Sequence, residues 1–273
     1  MNNLITNEGF AKTFTFIKLI QQGLVVTILL AFLTVIIGFI LGIILAIMRM
    51  TDIRPLRFLA YTKDGKMREN RILQTISKFN PVSLIATVYV EVIRSTPVLV
   101  QIMLIYHGIF SLIELPSITF FGFISFERFF PGVVALGINS GAYLCEIIRS
   151  GIQSIDGGQT EAARSLGLTK AQTLKSIILP QAIKNILPAI ANEFVVIIKE
   201  SSICYTIGVR DIMSSVEAVR GAYFIIMEPL LVATALYFCL CFPTSKIIAY
   251  LERKMSRGDT RYTATGHRPE ETL

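Results

Sequence analysis

The chain has 273 residues, 53% of them hydrophobic and only 16% charged, with no Trp and a mean hydropathy of +0.62. Soluble domains carry roughly a quarter charged residues, so this composition excludes an ordinary soluble protein and requires a membrane protein. The net charge of +7 would suit nucleic acid, but the basic residues flank apolar runs, where they meet lipid headgroups instead.

Residues 1–18 form a polar N-terminal segment without a cleavage pattern, so no removable signal peptide is expected. Residues 23–48 follow, 26 positions without a charge, long enough to cross a bilayer with some tilt. A basic segment, 49–78, leads to a second apolar stretch, 82–113, which Glu91 and Arg94 interrupt. A third span is expected over 129–149. A fourth, 186–208, is apolar but carries Glu193, Lys199 and Glu200. The fifth covers 226–248, and a polar tail follows over 252–273, which beyond Arg257 has too little apolar content to pack. The reading is an all-α membrane protein with about five spans in a transmembrane domain of residues 19–251.

Five spans put the termini on opposite sides, and the basic residues decide which is which. Segment 49–78, loop 149–184 and the tail from Lys246 hold nineteen Lys and Arg together. The N-terminal segment and the two loops on the other side hold five: Lys12, Lys18, Arg128, Arg210 and Arg220. Cytoplasmic loops carry the excess, so the N-terminus is expected outside and the C-terminus in the cytoplasm. Cys145, Cys204, Cys239 and Cys241 lie in or beside apolar runs without metal spacing, and His107 and His267 are isolated. They read as small hydrophobes and ordinary polar residues, and no metal site is expected.

The loop over residues 156–180 is too organised for a connector. Helix formers over 159–166 run to Gly167, placed where a left-handed glycine ends a helix. Thr169 and Gln172 match a capping box for a second helix. That helix is expected to set Leu174, Ile177 and Ile178 on one side and Lys170 and Lys175 toward water, and to end at Leu179-Pro180. A helix–glycine–helix knuckle suits a docking surface, or equally an amphipathic re-entry into the membrane interface.

Glu161-Ala162-Ala163, three residues, Gly167, nine residues, Ile177, one residue, then Leu179-Pro180 is the pattern EAA-x3-G-x9-I-x-LP. This resembles the signature loop of bacterial type I ABC importer permeases, with no position missing. The resemblance implies that the loop is a coupling helix seated in a cleft of a cytoplasmic ATPase. Glu161, Ala162, Ala163, Gly167, Leu174, Ile177, Leu179 and Pro180 would carry that contact.

Glu91-Val92-Ile93-Arg94-Ser95-Thr96-Pro97-Val98-Leu99-Val100-Gln101 is similar to the E-x2-R-x-TP-x-LVQ stretch of the polar amino acid uptake permeases, and Ala142–Arg149 with Gly158-Gln159 resembles the same group. Two departures occur. Lys199-Glu200-Ser201-Ser202 stands where the family more often reads Lys-Asp-Thr-Ser, and segment 49–78 exceeds the usual connector.

Ionisable residues inside a span cost roughly 2.5–3.5 kcal/mol each on insertion scales, so they normally face a bundle interior or an aqueous path. Glu91 and Arg94, at i,i+3, can pair on one helix face. Ser95, Thr96 and Pro97 suggest a break. Thr96 could cap and Pro97 open a restarted helix whose N–H groups meet a carboxylate, or the proline merely kinks the span. Asn139, Tyr143 and Glu146, with Ser140 beside them, form a stripe for substrate or for interhelical hydrogen bonds. Lys199, Glu200 and Ser201 could meet a zwitterion or line an external gate.

No G-x4-G-K-[ST] pattern occurs, so ATP and Mg²⁺ are expected on a separate ATPase and no cofactor on this chain. The resemblance further implies a second permease copy or a paralogue, an extracytoplasmic solute-binding protein, and a place in the bacterial inner membrane. No nucleic acid partner is expected. The rival reading is a gradient-driven secondary transporter, which five spans without a visible inverted repeat disfavour.

Overall fold

The computed structural model describes residues 5–56 and 71–256. The basic positions Arg57, Lys63, Lys66 and Arg68, and residues 257–273 of the expected polar tail, lie outside the described residues, while residues 252–256 of that tail are helical.

The N-terminal segment contains a helix that polarity alone does not announce. In α1 (Asn7–Phe14), Thr6 is the N-cap and its hydroxyl accepts the Gly9 N–H at 3.0 Å. Helix α2 (Ile17–Met50) has 34 residues, roughly 50 Å of helix, and contains the first expected span. After α3 (Arg71–Ser77), the second stretch enters as α4 (Pro81–Arg94), capped by Asn80 with Pro81 at its first position. It does not run straight. The chain breaks at residues 95–97, bends by 109° and restarts as α5 (Val98–Leu104).

A π-helical turn (Ile105–Ile109) and a 3-10 turn (Phe110–Leu112) lead to a small antiparallel hairpin, β1 (Thr119–Phe120) with β2 (Ile124–Ser125). Three residues, 121–123, join the strands; Phe121 and Gly122 both have positive φ, 53° and 74°, and the Phe123 N–H closes the turn on Phe120 O at 3.1 Å. The hairpin corrects the purely helical expectation. No Asn-Gly or Asp-Gly marks it in the sequence.

Helix α6 (Phe126–Gln153) contains the third expected span. The short α7 (Gly157–Ser165) and α8 (Lys170–Thr173) follow, then α9 (Leu179–Glu200) and a 3-10 turn (Ser201–Ile207) closed by Gly208 at φ 83°. The last elements are α10 (Ile212–Tyr223) and α11 (Met227–Ser256). Among the described residues, α2, α6 and α11 are long and apolar enough to cross a membrane, and α4 with α5 qualifies as a bent pair. The fourth expected stretch is helical over α9, about 33 Å long, and continues into the 3-10 turn; α9 carries Lys184, Glu193, Lys199 and Glu200 and is not one of those three.

Helices α2 and α6 form the centre, and small residues explain how closely they approach. A methyl group at Gly38 would meet Ser140 Oγ at 2.8 Å, one at Gly42 would meet Leu144 Cβ at 2.8 Å, and one at Gly141 would meet Leu41 Cδ2 at 2.7 Å. Such small-residue faces let backbones pack where lipid supplies no hydrophobic drive between helices. Cores of Leu30, Ile102, Leu136 and Ile207 and of Leu45, Val90, Ala142 and Ile186 flank this seam. All four cysteines are free, and Cys145 and Cys204 fill buried positions in these cores.

Candidate coupling loop and substrate pathway

In the 156–180 loop the Asp156 carboxylate accepts the Gly158 N–H at 3.0 Å and starts α7. The helix ends in a complete Schellman motif: Leu168 N–H donates to Ala163 O at 3.2 Å and Gly167 N–H to Arg164 O at 3.1 Å. Gly167 has φ 87° and is exposed, as the sequence requires. The capping box also forms, with Thr169 N–H on Gln172 Oε1 at 2.8 Å and Gln172 N–H on Thr169 Oγ1 at 3.3 Å.

Two expectations for this loop are corrected. The second helix does not end at Leu179-Pro180. Helix α8 passes through a π-helical turn (Leu174–Ile178) directly into α9. Pro180 stands at the second position of α9, immediately after the π turn. The wider π turn also breaks the expected stripe: Ile178 is buried and Ile177 half-buried, while Leu174 is exposed. Of the remaining coupling candidates, Glu161, Ala162, Leu179 and Pro180 are exposed, while Ala163 is buried where α7 packs on α8 and the π turn. Leu166 stands out at 80% exposure, an apolar tip beside the left-handed glycine.

The expected pathway residues divide into separate groups. Glu91 and Arg94 are both exposed and do not pair with each other; Arg94 instead lies over the Tyr143 ring of α6, 5.5 Å from its centroid. A guanidinium stacks favourably on an aromatic face, whereas an exposed ion pair gains little. Thr96 does not cap the restarted helix. Its hydroxyl donates back to Val92 O at 2.9 Å, and Pro97, not Thr96, is the N-cap of α5, while Ser95 is the exposed C-cap of α4.

On α6, Asn139 donates to Gln101 Oε1 at 2.9 Å and Ser140 to Glu193 Oε1 at 3.2 Å. Glu146 belongs elsewhere. Seven residues beyond Asn139, about 10 Å along the helix, it accepts from Arg149 Nη2 at 2.6 Å and pairs with Arg49 of α2. One carboxylate between two guanidiniums ties α2 to α6, so the Asn139–Tyr143–Glu146 stripe does not act as a unit. At the far end of α9, Ser201 is buried and donates to Ile198 O at 2.7 Å, Glu200 is half-buried and Lys199 exposed.

Sequence reasoning missed Gln101, Arg49 and a polar cleft. The first stood inside a quoted motif and the second inside the basic segment. The cleft, about 620 Å³, lies between one stripe of α9 (Lys184, Asn185, Asn192) and one of α11 (Ser245, Glu252). Its signal was Lys184 and Asn192, eight residues apart on α9, and Ser245 and Glu252, seven apart on α11, each pair two turns along one helix face.

A membrane bundle carrying a capped, outward-turned helical knuckle invites comparison with known transport subunits. Residues 72–257 match the binding-protein-dependent transport system inner membrane component family. The chain belongs to that family. It is 36% identical over 253 residues to the arginine transport system permease protein of Bacillus subtilis (strain 168), covering 93% of this chain and all of the relative. It is 34% identical over 244 residues to a putative glutamine transport system permease protein of Rickettsia typhi (strain ATCC VR-144 / Wilmington), covering 89% and 96%. The crystal structure of an amino acid ABC transporter with histidines is 38% identical, with a TM-score of 0.73 over 90% of this chain and 98% of that one. An inward-facing methionine ABC transporter, 16% identical with a TM-score of 0.63, shares the fold over 88% and 98%. This chain is therefore an ABC importer permease, a multi-pass transport component rather than an enzyme, in a family that works with an ATPase and a substrate-binding protein. The gradient-driven alternative is set aside.

Proposed function

We propose that this permease moves a polar amino acid inward by alternating access, driven by a separate ATPase dimer that grips residues 156–180. The observation that carries the proposal is the loop itself. Every position of EAA-x3-G-x9-I-x-LP is filled, and the knuckle is held by a Schellman motif and a capping box while Glu161, Ala162 and Leu166 stay exposed. Its local order comes from caps rather than from contacts with the bundle, which suits a lever that must transmit force to another subunit. ATP and Mg²⁺ would be held by that subunit.

The chain crosses the membrane five times, near 23–48, 82–113, 129–149, 186–208 and 226–248, with the N-terminus outside and the loop and C-terminus in the cytoplasm. The division of nineteen basic residues against five supports this orientation, in a bacterial inner membrane. A second copy or a paralogue completes the pore, and an extracytoplasmic solute-binding protein delivers cargo. The named cargoes of the relatives, arginine and glutamine, support a polar amino acid. The elbow residues Arg94, Ser95 and Thr96, Tyr143 of α6, and Lys199 and Glu200 line the pathway, and the buried Asn139, Ser140 and Ser201 support that lining.

Uptake in whole cells tests the mechanism. Collapsing the proton and sodium gradients with ATP held constant should spare import of labelled L-arginine or L-glutamine. Import that disappears with the gradients contradicts the proposal.

A further inference from the structure

We propose that Gln101 is a positioning residue of the transport pathway: it completes the broken backbone between α4 and α5 and locks that elbow to α6, so the two move as one body. The inference rests on the proposed pathway lining and adds to it which parts move together.

A helix break leaves carbonyls without donors, and here the deficit has a specific cause. Ile93 O would receive the N–H of residue 97, but residue 97 is proline and has none. The Gln101 side-chain amide supplies the missing donor. Its Nε2 lies 2.7 Å from Ile93 O, 3.0 Å from Thr96 O and 2.7 Å from Thr96 Oγ1. The neighbouring carbonyls are satisfied separately, Glu91 O by Ser95 N–H at 3.0 Å and Val92 O by the Thr96 hydroxyl. One buried side chain, 6% exposed, thus closes the break.

The other end of that amide reaches α6. Gln101 Oε1 accepts from Asn139 Nδ2 at 2.9 Å, and Asn139 is 4% exposed. Two further links fall within the same stretch of α6: the Tyr89 hydroxyl donates to Ile138 O at 2.7 Å, and Arg94 lies over Tyr143. Residues before and after the break are therefore fastened to positions 138–143. A proline break is commonly taken for a hinge. Here its free backbone groups are spent on a cross-link, so bending at residues 95–97 would leave buried amide groups unpaired. The joint that opens the pathway must lie elsewhere.

The test uses the assembled complex with its ATPase in lipid nanodiscs, with Cys145, Cys204, Cys239 and Cys241 replaced by Ala. Spin labels are placed at Leu99→Cys in α5 and Ser150→Cys in α6 of one permease chain per complex, the other permease chain being cysteine-free, so that only the distance within one chain is read. With Gln101 intact, the distance should be single and should change by less than about 2 Å between ATP-free and ATP-vanadate states, far below the shifts of a moving element. Gln101→Leu should broaden it or shift it by more than about 5 Å. It should also raise the half-saturating concentration of the transported L-arginine or L-glutamine roughly tenfold, with a smaller fall in maximal rate, the pattern of a misplaced binding surface. Should Gln101→Leu not assemble, Asn139→Ala keeps the bonds inside the elbow, removes only the cross-link and must give the same broadening. A distance that changes between states in the parent complex overturns the inference, as does an unchanged distance in the variant used. Failure to import either amino acid alongside the expected distances would count against the proposed cargo, not against the clamp.

Discussion

Helices α6 and α11 are both apolar enough to cross a membrane, yet they live in opposite surroundings. In α6, 72% of the most apolar stretch is buried, while in α11 the figure is 6%. The buried one is the less apolar of the two. Its interior face is Gly137, Asn139, Ser140 and Gly141, small or hydrogen-bonding, whereas α11 presents Phe238, Phe242, Ile247 and Tyr250 outward. In water the greasier face turns inward; in lipid, apolar area is satisfied on either side. Close packing and polar pairing then decide which helix becomes the core.

Breaking the tight seam should have the largest effect. Gly141→Leu forces a branched side chain into Leu41 of α2, an overpacking cost of about 3 kcal/mol. The expected outcome is loss of the chain from the membrane fraction, read by quantitative immunoblot. Normal accumulation would mean that the α2–α6 approach is not a constraint.

Next in size is the knuckle, whose order comes from a cap. Gly167→Val places a β-branched residue at φ 87°, where strain reaches about 1–3 kcal/mol. Membrane insertion should survive while ATP-driven uptake falls roughly tenfold or more. Normal uptake would remove Gly167 from the coupling account.

A smaller effect is expected at Asp211, the N-cap of α10, outside the proposed spans. Its Oδ1 accepts the Ser214 N–H at 2.8 Å, while Oδ2 has no hydrogen-bond partner among the described residues. Burial pushes its carboxyl up from 3.8 to about 7, against the Ser214 hydrogen bond. A raised acid binds its proton more tightly when folded. Its contribution is fully present below about pH 3.8 and is lost as pH rises through about 7. Asp211→Asn keeps the cap and removes the titration, so the difference in unfolding midpoint between pH 5 and pH 8 should shrink. An unchanged difference would exonerate Asp211. The smallest effect belongs to the outward face of α11: Phe238→Ala, at a position 61% exposed, should alter thermal stability by less than about 0.5 kcal/mol.

The sequence made the long apolar helices and the caps of the knuckle legible because both follow from local rules. Uncharged length announces a crossing, and Gly167, Thr169 and Gln172 announce caps within six residues. It left the pathway illegible because those contacts are made across the fold. Arg94 finds the Tyr143 ring rather than Glu91, Glu146 finds Arg49 nearly a hundred residues away, and Gln101 replaces a donor that Pro97 lacks. Periodicity places residues on a face but does not say what the face meets. The hairpin at Phe121-Gly122 escaped for a related reason, since phenylalanine seldom adopts positive φ and leaves no turn signature.

The central claim, that energy enters this permease through residues 156–180 from a separate subunit, is tested most directly by intact-complex mass measurement. The tagged chain would be drawn from membranes in mild detergent. A stoichiometric ATPase dimer is predicted, retained by the parent chain and lost or weakened with Gly167→Val. The mass would also distinguish two copies of this chain from one copy with a paralogue. A stable lone chain or simple homo-oligomer, free of any ATPase, would contradict the account.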